Sequence, residues 1–109
     1  MKDATRRAAR MLRDLGSTSQ EVAATLAQKG VCGVRNTVRF LNPVVRYVKT
    51  GVNAKSIDVM KGDTVRLTFG ASDTKEIELP QPVRNFLHEF NRGAYPELER
   101  GCEPPSSHS

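Results

Sequence analysis

The chain has 109 residues, 38% apolar and 27% charged, with seventeen basic against twelve acidic side chains, no Trp and two cysteines. That is enough chain for one globular domain with a Val, Leu, Ile and Ala core, and it leaves no room for separate cofactor and substrate domains. The net charge of +5 favours anionic partners. The sequence contains no apolar run long enough to cross a membrane and no secretory leader pattern, so a cytoplasmic protein is expected.

Residues 3–15 read as a first helix, with Ala8, Met11, Leu12 and Leu15 at helical spacing and Arg6, Arg7, Arg10 and Arg13 on other faces. Gly16 ends it. Thr18-Ser19-Gln20-Glu21 is a capping box that opens a second helix, with Val22, Ala23 and Leu26 inside and Gly30 closing it. Residues 34–49 again carry a helical pattern, interrupted at Asn42-Pro43. Proline there either kinks one helix, or ends it and lets Asn42 cap a second with Pro43 in its first turn.

From Lys55 the apolar period changes to two. Ile57 and Val59 mark one strand, Lys61-Gly62-Asp63 a turn, and Val65, Leu67 and Phe69 a second strand. A longer turn over 70–74 precedes a third short strand over 76–79. Pro80 and Pro82 break the sheet, and Val83, Phe86, Leu87 and Phe90 define a last helix over 82–91, stopped by Gly93.

The expected fold is therefore α+β: three or four N-terminal helices, a small antiparallel three-stranded meander and a C-terminal helix, all within residues 1–98. Residues 99–109, ending in GCEPPSSHS, read as a disordered tail. Cys32 reads as a small buried hydrophobe and Cys102 as a free thiol in that tail, since neither lies in a metal-ligand or framework spacing. No metal or cofactor is expected.

If residues 34–49 form one helix, Arg35, Arg39, Asn42, Arg46 and Lys49 share an arc of about 80°, opposite an apolar stripe. No acidic residue falls in this segment. Cations on a helix release counterions from a phosphate backbone, and a helix fits the major groove, where Asn42 could pair with adenine and Arg35 or Arg39 with guanine. A solvated helix face is also commonly charged, though usually with mixed signs.

The run from Thr18 to Leu26, then Gly30-Val31, then Arg35 to Asn42, resembles the helix-turn-helix of winged-helix DNA-binding domains. The resemblance covers about half the chain. It implies a recognition helix over 34–41 with Arg35, Asn36 and Arg39 at base edges, and Thr37 at a phosphate. It further implies Arg6 and Arg10 on the backbone and Lys61 or Lys75 at a wing tip.

Catalysis finds little in the sequence. His88 reads as a surface position of the last helix, His108 lies in the tail, and no nucleophile-base, metal or phosphate-loop motif is present. Glu76 and Glu78 share a strand face without enclosure. The expected role is DNA binding. The rival is a non-enzymatic protein-interaction module whose basic helix meets an acidic partner, with a possible homodimer through helix 82–91 and its Phe86 and Phe90.

Overall fold

The computed structural model describes residues 2–37 and 41–99, without the side chains of Lys2 and Asp3. Its elements run α1 (Lys2–Arg13), α2 (Ser19–Gln28), α3 (Pro43–Lys49), β1 (Ser56–Met60), β2 (Thr64–Gly70), β3 (Asp73–Glu78) and α4 (Gln81–Asn91), then a 3-10 turn at Pro96–Leu98. The strands form one antiparallel meander in the order β1-β2-β3. This is the α+β arrangement that the pattern predicts. Among the described residues no helix is long and apolar enough to cross a membrane.

Local chemistry sets the helix ends. The Thr18 hydroxyl accepts from the Glu21 amide at 3.1 Å, while the Glu21 carboxylate reaches one residue further back, to the Ser17 amide at 2.7 Å. At the far end of α2 the Gly30 amide donates to Ala27 and the Val31 amide to Leu26. The same pair of bonds closes α4, from Gly93 to Phe90 and from Ala94 to Glu89. Gly30 and Gly93 have φ of 71° and 88°, the left-handed geometry that this closure needs and that glycine adopts without a Cβ penalty.

The meander obeys its alternation. Ile57 pairs with Leu67 and Val59 with Val65, all four buried. The first turn is tight: Lys61 and Gly62 have φ of 57° and 75°, the left-handed pair of a type I′ hairpin, and the Asp63 amide donates to Met60 at 3.2 Å. The second turn is shorter than expected, because Asp73 and Thr74 already belong to β3.

The inner face of the sheet meets the helices. α1 packs beside β3 and beside α3, α3 packs beside β1, and α2 pairs with α4. Leu12, Leu15, Val22, Leu26, Val44, Val48, Leu67 and Phe86 are all fully enclosed in one core.

Phe86 and Phe90 correct the dimer expectation. Both are buried in the monomer, with ring centroids 5.6 Å apart, and Tyr95 lies 5.3 Å from Phe86. Their apolar surface is already used by the core, so a homodimer cannot be built on these two rings. His88 on the opposite side of α4 is exposed, as its spacing predicts.

Cys32 also departs from expectation. It is half-buried and disulfide-bonded rather than a free core side chain. The chain's other cysteine, Cys102, lies outside the described residues, as does the expected tail from Arg100 onward. Glu99 is ordered enough in its contacts to pair with Arg35 at 3.0 Å.

Candidate nucleic-acid interface

The continuous basic helix over 34–49 does not form. Residues 31–37 run as an extended segment and turn, residues 38–40 lie outside the described residues, and the helix begins at Pro43. Of the two readings of Asn42-Pro43, the second holds. Proline forces its predecessor out of helical geometry, and Asn42 sits at ψ 131°.

Several groups that a helix would use here have another partner. The Val34 amide donates to the Leu41 carbonyl at 2.8 Å, and the Thr37 hydroxyl donates to the Val34 carbonyl at 2.7 Å. Asn36 has a φ of 62°, a left-handed geometry that asparagine tolerates and a helix excludes. Its amide donates to Asn91 Oδ1 at 2.9 Å.

These bonds reassign four of the expected base- and phosphate-contacting residues. Asn42 is 2% exposed. Its Oδ1 accepts from the Val44 and Val45 amides, and its Nδ2 donates to the Thr37 carbonyl at 2.8 Å. It is the N-cap of α3 and has no amide left for adenine. Thr37 and Asn36 hold the loop, and Arg35 is paired with Glu99 beside Gly93. Arg39 lies outside the described residues. The recognition helix expected over 34–41 is absent over 34–37, so the cationic stripe drawn on it is not built.

Two neighbouring helices carry exposed cations. On α1, Ala8 and Leu12 face the core, and Arg6, Arg10 and Arg13 are exposed on the far side. On α3, Val44 and Val48 face inward, and Arg46 and Lys49, three residues apart, share the outer face. The two helices are tied where α3 ends. The Arg7 guanidinium donates to the Gly51 carbonyl at 3.3 Å, and a Cβ on Gly51 would lie 2.7 Å from the Met11 sulfur. Close approach at Gly51 thus lets α1 lie against the end of α3. A shallow depression of about 280 Å³ beside Val45 is rimmed by Arg46, Lys49 and Thr50.

Among the described residues the ion pairs are Arg35–Glu99 and Arg66–Glu76, so Arg6, Arg10, Arg46 and Lys49 stand without a carboxylate partner. Asp14, just past the end of α1, acts on Tyr47. Burial first, and then the Asp14 charge, push the Tyr47 hydroxyl above its ordinary value. Lys61 stands apart, exposed at the tip of the first hairpin. Lys75 is exposed in β3 rather than in the second turn.

One polar cluster escaped the sequence reading. Tyr95 donates to Glu89 Oε1 at 2.7 Å, and the Ser19 hydroxyl donates to the same oxygen at 3.0 Å. These two bonds, Tyr95 first, hold the Glu89 carboxyl below its usual range, while burial raises Tyr95. The cluster contains no histidine and pins the start of α2 to α4 and the C-terminal segment. No local pattern announces it, since Ser19 and Glu89 are seventy residues apart. Among the described residues, no group of histidine, cysteine, aspartate or glutamate is arranged to hold a metal ion.

Comparison with known proteins found no matching family, no similar curated protein and no similar solved structure.

Proposed function

We propose that this domain binds nucleic acid, DNA in the first instance, along the phosphate backbone through the adjacent outer faces of α1 and α3, and carries out no chemistry of its own. The observation that carries the reading is the set Arg6, Arg10, Arg46 and Lys49: exposed, of one sign, on two neighbouring helices and without carboxylate partners among the described residues. A solvated helix face ordinarily interleaves both signs.

Cations of this kind gain from a polyanion by releasing its condensed counterions, which requires no defined base contact. With Asn42 used as a cap and Arg35 paired, the α3 segment offers little for reading base edges, so binding is expected to discriminate weakly between sequences.

The test is a charge-reversed protein carrying Arg6→Glu, Arg10→Glu, Arg46→Glu and Lys49→Glu, titrated against a labelled random-sequence duplex. Loss of binding with an unchanged circular dichroism spectrum supports the reading. Unchanged affinity overturns it. If the unaltered protein binds no duplex even at about 50 mM salt, the same face becomes a candidate for an acidic protein partner.

A further inference from the structure

A second feature of the molecule shares only Arg13 with the exposed side of α1. Between the C-terminal half of α1, the end of β3 and the opening turn of α4 lies a groove of about 470 Å³. That falls within the roughly 300–1,000 Å³ range of small-molecule sites. Half-exposed Ala9, Ile77 and Pro80 contribute apolar surface to it, and its polar groups are Arg13, Arg84, Gln81 and Glu78.

The two guanidinium groups come from different elements, and neither is neutralised. Arg13 and Arg84 make no ion pair among the described residues, with Glu78 or with any other carboxylate. Arg84 is held in place: its Nη2 donates to Gln81 Oε1 at 2.8 Å, and Gln81 in turn donates to Asn85 at 2.8 Å. Its Nε is buried and has no hydrogen-bond partner. That donor is closed off from the groove, but the guanidinium that Gln81 fixes carries further terminal N–H donors, which are suited to an oxyanion.

We infer that this groove binds a small organic oxyanion, with its carboxylate or phosphate between Arg13 and Arg84 and its hydrocarbon part against Ala9, Ile77 and Pro80. Glu78 in the same groove offsets one of the two positive charges, which favours a ligand of low charge over a polyanion. Carboxylates and phosphates share the recognition chemistry, so the probes must separate them.

The experiment is an NMR titration of the full chain with hexanoate, acetate and inorganic phosphate, following the backbone amides and the arginine Nε–H signals. The expected result is a saturable shift of the Arg84 Nε–H signal. Arg13→Gln and Arg84→Gln should each weaken it by about tenfold, the loss of one charge-assisted contact. Hexanoate binding more tightly than acetate and phosphate would assign a carboxylate with an apolar tail. Phosphate binding most tightly would assign a phosphate-bearing ligand. The absence of a saturable shift with any probe, or shifts unchanged in Arg13→Gln, whose exposed side chain has no ion pair among the described residues to lose, would overturn the inference. Arg84→Gln should leave duplex binding intact, so the outcome here does not depend on the nucleic-acid reading.

Discussion

The outer faces of α1 and α3 and the outer face of the meander are both exposed and charged, but they carry their charge differently. On the sheet, Asp58, Arg66 and Glu76 are cross-strand neighbours in one row, and Arg66 binds Glu76 through two nitrogens at 3.1 and 3.2 Å. On the helices, Arg6, Arg10, Arg46 and Lys49 have no such neighbour among the described residues. The division runs through the whole chain: residues 1–50 hold ten basic and three acidic side chains, residues 51–109 seven and nine. A face that neutralises its own charge needs only water. A face that leaves one sign uncompensated is completed by a partner of the other sign, and that contrast underlies the functional reading.

The contrast can be broken most directly by moving one charge on each face. Arg10→Glu combined with Arg46→Glu should weaken duplex binding by about a hundredfold at low salt, since each reversal removes one phosphate contact and adds a repulsion. Arg66→Glu on the sheet should change it less than about twofold, at the scale of charges beyond a Debye length. Equal effects from both faces would mean that net charge alone is at work, and the proposed interface would be lost.

A second test asks whether the α3 face depends on its cap. Asn42→Ala removes two bonds to helix amides and one to Thr37 from a buried site, and should cost about 1–3 kcal/mol in urea unfolding. If Asn42 instead contacted DNA, affinity would fall with stability unchanged. Gly33→Ala probes the same junction with a smaller perturbation. Its Cβ would come within 2.5 Å of Pro43 Cδ, an overpacking expected to cost about 1–3 kcal/mol unless the loop shifts. Thermal unfolding of the two variants would rank them.

The smallest effect concerns acid stability. Hydrogen bonds to Tyr95 and Ser19 lower the Glu89 pKa in the folded state. The carboxylate therefore stabilises the fold above the ordinary carboxylate range, and that contribution is lost as pH falls through the lower folded value. Tyr95→Phe should raise the Glu89 pKa, read from its side-chain carbon shifts, and reduce the acid-side loss. An unmoved pKa would remove this cluster from the account of how α2 is held to α4.

Much of the fold is legible in the sequence because its signals are local. The Thr18–Glu21 capping box, the alternation through Ile57, Val59, Val65 and Leu67, and the stripe from Val83 to Phe90 each state a period and a boundary. The same stripe says that Phe86 and Phe90 are covered, but not by what, and the covering surface proves to be the monomer's own core. Residues 34–42 were the hard case. Their apolar spacing fits a helix, while the left-handed Asn36 is held by Asn91 from across the fold and the Asn42 cap by the nearby amides of Val44 and Val45. Likewise, only tertiary contact reveals that Arg35 is compensated, because Glu99 is sixty-four residues away. Unpaired charge is a property of the folded surface, so the proposed site could be read only in part: Arg6, Arg10, Arg46 and Lys49 are exposed and without ion pairs among the described residues, while the side chains of Arg35, Thr37 and Asn42 and the backbone amide of Asn36 hold the fold.

The central claim is that phosphate contacts by the α1–α3 face supply the affinity, and the most direct measurement is the salt dependence of duplex binding. With four contacting cations, log K plotted against log salt should fall with a slope of about −3 to −4 between about 50 and 200 mM. A slope near zero, or no binding at the lowest salt, would contradict the account.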